Sequence, residues 1–186
     1  MRRATHAQRL KLAEEICNEI KGVLRNDLRA FVIFASCAKN EDGPYSDLEM
    51  MAITTDQYEE RYSEFMRDGI RCQVAFVPFN SALKEAGEVT TRWPVAADQW
   101  HAFEPFYIKE GDDCLDRIQA AAKSSLTDDE KFRKATIEMM LILYETVTKL
   151  RNSAETRKVK SDVATNLYFF SEGAVHLVSL VNRVYF

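Results

Sequence analysis

The chain is poor in the residues that build metal centres and covalent frameworks. Its four cysteines, Cys17, Cys37, Cys72 and Cys114, are widely scattered, and its three histidines, His6, His101 and His176, belong to no partner motif. With no C-x-x-C pair and no histidine cluster, neither zinc nor a disulfide framework is expected. Such cysteine usage fits a reducing cytoplasm. No run reaches the ~18 apolar residues of a membrane span. The opening Met1-Arg2-Arg3-Ala4-Thr5-His6 is basic but is followed by no apolar segment, so no signal peptide is expected. A net charge of −4 supplies no global basic field for nucleic acid. Internal repeats and low-complexity segments are also missing. What is there, 46% hydrophobic and 29% charged residues over 186 positions, is the balance of an ordinary globular chain of one domain or two small ones.

The most informative stretch runs from Ala35 to Met51. An apolar segment, Ala30-Phe31-Val32-Ile33-Phe34, precedes it. It contains small residues, a Gly43-Pro44 turn signal and Ser46-Asp47-Leu48-Glu49, and it leads into Met50-Met51-Ala52-Ile53. If 47–53 is a strand, Asp47 and Glu49 share a face, with Cα atoms roughly 6.6–6.8 Å apart. Two carboxylates so placed can converge on one divalent cation or clamp a pair, and Mg²⁺ suits such a site. The plainer reading is that two polar residues open a strand and face water.

This context resembles the nucleotidyltransferase superfamily of DNA polymerase β and, within it, the kanamycin (aminoglycoside) nucleotidyltransferases. The resemblance rests first on Asp42-Gly43-Pro44-Tyr45-Ser46-Asp47-Leu48-Glu49-Met50-Met51. It continues at Arg92-Trp93-Pro94, at Pro105-Phe106-Tyr107, and from Tyr144-Glu145 through Lys149-Leu150-Arg151-Asn152. It covers the chain from about residue 10 onward.

Taken in order, Thr5 and Gln8 have capping-box spacing, and Ala13, Ile16, Ile20, Val23 and Leu24 predict an amphipathic helix over 6–25. Strands are expected over 28–35 and 47–54. Tyr58, Tyr62 and Phe65 suggest a helix between Asp56 and Asp68. Asp68-Gly69 signals a turn, and Ile70, Cys72, Val74 and Phe76 alternate as a third strand. Asn80 is read as the cap of a helix over 81–89, and Phe103 to Ile108 as a short strand. Beyond Gly111 the pattern becomes helical: Asp112 to Ser125, then a long helix opened by a Thr127–Glu130 capping box, then a polar connection over 151–160 and a last helix to the end. The chain therefore divides near residue 110. The resemblance gives the fold class as α+β: a nucleotidyltransferase-like mixed sheet with flanking helices over 1–110, then a small helical-bundle domain over 111–186, short relative to the family. The apolar end at Val184-Tyr185-Phe186 suggests a partner subunit or a smaller domain.

The resemblance also implies roles. Asp47 and Glu49 are the metal ligands, holding Mg²⁺ against a nucleoside triphosphate. Ser36 and Lys39 stand where the family's loop holds phosphates, Glu145 where its general base stands, and Lys149 where a lysine contacts phosphate. A homodimer is implied, in which the helix carrying Glu145 approaches the other subunit's Asp47 and Glu49. Without the resemblance, Glu145 and Lys149 are an i,i+4 pair on an exposed helix. Two departures stand out. Ala35-Ser36 replaces the family's Gly-Ser, although alanine tolerates φ > 0 less well. Gln73 stands where a third carboxylate is usual, and an amide brings no charge to a metal. Trp93, Trp100, Phe103, Phe106 and Tyr107 are candidates for a pocket lining or for core. Glu59, Glu60 and Glu64 could attract a polycation or simply be solvated. Three readings follow: a nucleotidyltransferase acting on a hydroxyl of an aminoglycoside-like small molecule, a weakened nucleotide-binding relative, and a non-enzymatic interaction protein of this fold.

Overall fold

The computed structural model describes residues 3–156 and 160–186. The chain forms two compact units, one of Met1–Gly87 with Asp98–Lys123, the other of Glu88–Ala97 with Ser124–Phe186.

The first unit is built on a five-stranded mixed sheet in the order β3-β4-β2-β1-β5. Its strands are β1 (Leu28–Phe34), β2 (Leu48–Thr54), β3 (Arg61–Arg67), β4 (Ile70–Pro78) and β5 (Phe103–Ile108). Only the central β2–β4 pair is parallel; the other neighbours are antiparallel. Helix α1 (His6–Leu24) starts at a true capping box, with Thr5 and Gln8 each satisfying the other's backbone N–H. Its buried face, including Leu12, Ala13 and Ile16, packs on Phe31, Ile33, Leu48, Met50, Cys72 and Val74. The opposite sheet face carries Ala30, Val32, Met51, Ile53 and Val77. These pack against α3 (Phe79–Gly87), Trp100 of the short α5 (Asp98–His101), and α6 (Cys114–Ser125). Burial of each such leucine or isoleucine side chain is worth about 1.5–3 kcal/mol.

Three sequence expectations are corrected here. Residues 61–67 are a strand, not part of a helix. Asp68 and Gly69 both have positive φ, 53° and 78°. That is the demand of a two-residue hairpin turn, so the segment before it pairs with β4 as a strand. The hydroxyl of Thr127 donates to the Ser124 carbonyl instead of capping, and Asp128 caps the long helix by accepting from Lys131 N–H. Nor does the compact division fall at residue 110. Cys114, Leu115, Ile118 and Ala122 of α6 belong to the apolar layer on the sheet, which keeps 98–123 with the first unit.

The second unit pairs α7 (Asp129–Glu155) with α8 (Lys160–Asn182), and residues 88–97 join it through α4 (Trp93–Ala96). Trp93 lies edge-on to Phe132 and Tyr185, at 4.8 and 5.9 Å between ring centroids. Of the expected connection over 151–160, α7 occupies the part to Glu155, while 157–159 lie outside the described residues. No described helix is long and apolar enough to cross a membrane.

Candidate active site

Strand pleating decides what β2 displays. Leu48 and Met50 are fully buried against α1, so Asp47, immediately before the strand, and Glu49, its second residue, lie on the other face, both half-buried. That face is apolar where α3, α5 and α6 cover it and polar at the start of β2 and β4. In register, Glu49 lies beside Gln73, and Gln73 beside Glu64 of β3. Gln73 Nε2 donates to Asp47 Oδ2 at 3.0 Å. Arg71 makes a forked pair with Glu64, at 2.7 and 3.0 Å, and extends Nη1 to within 3.5 Å of Asp47 Oδ2.

Loop 35–46 sets the height of Asp47. Arg9 is a charged residue on the buried face of α1, 1% exposed. Its guanidinium donates to Ser46 O, Ala4 O, Asp42 Oδ2 and Gly43 O, at 3.0, 3.2, 2.7 and 2.9 Å. Every one of these acceptors except Ala4 lies within five residues of Asp47, so one side chain pins the turn that delivers the carboxylate. At the other end of the loop Ala35 takes φ 56°, a conformation that favours glycine. Ala35→Gly is therefore expected to stabilise the sheet unit by about 0.5–1 kcal/mol, read as a shifted urea midpoint. An unchanged or lowered midpoint would mean that the alanine carries no strain there.

Lys39 bridges to Asp98 at 3.2 Å and lies 3.8 Å from Glu41. Asp98, at the start of α5, is buried. The glutamate most affected is Glu49: burial raises its pKa above the ordinary range, the charges of Asp47 and Asp98 push the same way, and Arg71 and Lys39 oppose them. This face thus gathers negative charge around a partly buried carboxyl, a condition that a dication relieves. The donor set fits Mg²⁺: two carboxylates on one half-open face, and beside them an amide that offers a neutral oxygen if rotated. Sequence reasoning gives no role to Asp98 or Arg71. Asp98 enters from a helix far along the chain, with no motif around it. Arg71 has the pattern of an ordinary alternating strand residue, and only the β2–β4 register sets it beside Asp47.

Ser36 lies in the short helix α2 (Ala35–Ala38) directly after β1, and Lys39 caps its end, in the same unit as the carboxylates; Ser36 is half-buried and its carbonyl accepts from Glu41 N–H at 2.9 Å. Glu145 and Lys149 belong to the helical unit. They form an i,i+4 ion pair of 2.7 Å on exposed α7, and the lysine holds the Glu145 carboxyl below its usual range. Both line a cavity of about 470 Å³ with Arg92, Ile142, Phe169 and His176. His176 Nδ1 donates to the Thr91 carbonyl at 3.1 Å. Trp93 and Trp100 are core, and Phe103, Phe106 and Tyr107 pack on the two sheet layers. Glu64 is engaged by Arg71, while Glu59 and Glu60 are exposed.

No protein-family model matches the chain. Over 149 residues it is 29% identical to an aminoglycoside nucleotidyltransferase (4′) of a Bacillus species, covering 80% of this chain and 57% of that protein. By sequence, its curated relatives are nucleotidyltransferases. Another aminoglycoside nucleotidyltransferase (4′), from Staphylococcus aureus, is 28% identical over 149 residues with the same coverage. The chain spans little more than half the length of these relatives. A solved nucleotidyltransferase-like protein from Exiguobacterium sibiricum matches 92% of this chain and 58% of its own, with a TM-score of 0.49 and 11% identity, a likeness too loose to place any residue.

Proposed function

We propose that this chain transfers a nucleoside monophosphate from a nucleoside triphosphate to a hydroxyl of an aminoglycoside-like small molecule, in the cytoplasm. The observation that carries the reading is the placement of Asp47 and Glu49 on one half-open sheet face beside Lys39, within the stretch similar to aminoglycoside nucleotidyltransferases. Asp47 and Glu49 would hold Mg²⁺, which supplies charge neutralisation to the phosphates when bound. Ser36 and Lys39 orient and neutralise the phosphate chain from the loop, and Lys149 adds a further cation. The acceptor oxygen forms its bond to the α-phosphorus as the bond to pyrophosphate breaks in line, and Glu145 takes the hydroxyl proton.

We assign Glu145 to this role across a homodimer, with α7 approaching the partner's Asp47 and Glu49. Exposed Met140, Leu141 and Tyr144 on α7 and Tyr168, Val178 and Val181 on α8 favour such an interface. It should bury more than roughly 1,000 Å² in total. Light scattering at micromolar concentration is expected to give twice the chain mass. A strictly monomeric species would return Glu145 to a helix-surface residue paired with Lys149.

The deciding assay is labelled ATP with Mg²⁺ and a panel of aminoglycosides, read as nucleotide incorporation. An alternative, a nucleotide-binding relative with little turnover, is favoured by the Gln73 amide donating to Asp47 where a third carboxylate would be; it predicts binding without incorporation. Neither binding nor incorporation would leave an interaction protein. Gln73→Glu replaces that donor with charge, and is expected to tighten Mg²⁺–nucleotide binding and raise turnover by about tenfold or more, in line with the effect of groups around a metal's ligands. A folded variant with neither gain would show that the site does not use a third carboxylate.

A further inference from the structure

We propose that His6, Cys37 and Asp42 form a binding site for a soft divalent cation of the zinc class, separate from the Asp47–Glu49 pair. Their ligand atoms, one imidazole nitrogen, one sulfur and one carboxylate oxygen, all lie within 4.8 Å of one another. His6 Nδ1 is the meeting point, 2.6 Å from Asp42 Oδ1 and 4.0 Å from Cys37 Sγ. Zinc bonds of about 2.0–2.3 Å at tetrahedral angles hold such ligands roughly 3.3–3.6 Å apart. The sulfur therefore has to close by under roughly half an ångström on the imidazole nitrogen and by up to roughly 1.2 Å on the carboxylate, and the His6–Asp42 hydrogen bond has to open by under roughly an ångström, being replaced by the two metal bonds.

The surroundings suit the assignment. The other oxygen of Asp42 is held by Arg9 Nη1 at 2.7 Å, the outer hydrogen bond that orients a ligating carboxylate. Cys37 is 1% exposed and the Asp42 side chain 1%, while the His6 side chain is 31% exposed, so an ion would enter along the imidazole. On binding, the Cys37 thiol proton leaves to solvent, and His6 carries its ring proton on Nε2 in place of Nδ1. Thiolate and carboxylate then offset two of the three positive charges that the ion and Arg9 bring together. A thiolate ligand disfavours Mg²⁺, so this site and the carboxylate pair select different metals. Sequence spacing hides the cluster, because its members are separated by 31 and 5 positions and carry no C-x-x-C signature. A cation here would tie the start of α1 and the short helix α2 (Ala35–Ala38) to the loop that leads to Asp47.

The test is titration of the full chain with Co²⁺, followed by absorption. Thiolate-to-metal charge-transfer absorption and tetrahedral visible bands are expected to saturate at one Co²⁺ per chain, whatever Co²⁺ the carboxylate pair also takes up. Zn²⁺ should displace it, and excess Mg²⁺ should not. The charge-transfer band should vanish in Cys37→Ser, persist in Cys17→Ala, and need at least tenfold more Co²⁺ in His6→Asn. Should Cys37→Ser not fold, His6→Asn at its partly exposed helix end decides the matter alone. No charge-transfer band in the wild type, a band that survives Cys37→Ser, or an unchanged titration in His6→Asn overturns the proposal. Because the readout is spectroscopic, its outcome is independent of whether the chain transfers nucleotides.

Discussion

Arg9→Met is expected to destabilise the sheet unit by about 3–5 kcal/mol, the range for breaking a buried ion pair from one side. The reason is the fate of the partners. Asp42, 1% exposed at its side chain, would keep its charge with only His6 beside it, and the carbonyls of Gly43 and Ser46 would lose a donor that water cannot readily replace. By the size scaling of thermal unfolding, the melting temperature should fall by roughly 6–20 °C. Arg9→Lys keeps the charge but not the planar fork that reaches several acceptors, and should recover only a minor part of the loss. Removing the stranded charge as well, in Arg9→Met with Asp42→Asn, should recover more. A single variant within 1 kcal/mol of wild type, where about 3–5 is expected, would falsify the view that this guanidinium pins the loop.

Glu49→Gln is expected to separate activity from stability. If the proposed site is right, loss of this carboxylate should lower nucleotide incorporation by about a hundredfold or more, and Asp47→Asn should do the same. Stability should move the other way. Burial and the charges of Asp47 and Asp98 raise the Glu49 pKa, so in the window above the ordinary glutamate value the folded chain holds more protons than the unfolded chain. Stability then falls as pH climbs through that window, and the deficit is complete above the folded pKa. Glutamine cannot ionise, so the variant should melt higher than wild type near neutral pH and lose the advantage in acid. Mg²⁺ with nucleotide should raise the wild-type melting temperature and leave both variants unmoved. Equal melting of Glu49→Gln and wild type at pH 7 would remove the electrostatic argument. Equal incorporation would remove the site assignment.

The same balance of effects explains which features are legible in the sequence. Alternation about Leu48 and Met50 is enough to put Asp47 and Glu49 on one face, because a strand's side-chain period is two and its apolar set must turn inward. The capping box at Thr5 and Gln8 is equally local. Residues 61–67 mislead because Tyr62 and Phe65, on an edge strand whose exposed face imposes no strict alternation, happen to continue a helical spacing from Tyr58 in the turn before it. The positive φ of both Asp68 and Gly69, which makes the turn a hairpin, settles the point. Alanine at position 35 touches a real demand, since Ala35 does take φ 56°.

By itself the sequence determined what depends on neighbours in the chain: helix α1 and its cap, the strand that displays two carboxylates, the Glu145–Lys149 pair one helical turn apart, and the likeness to nucleotidyltransferases that those segments carry. Tertiary structure alone decided what depends on charges meeting across long separations. It brought Asp98 to Lys39 and into the field of Glu49, set Arg71 and Gln73 against Asp47 through the parallel register of β2 and β4, and closed Arg9 and His6 on Asp42. The physical reason is the same in each case. Backbone periodicity is written in short windows, whereas a charge far along the chain is felt only after folding has excluded the water between them.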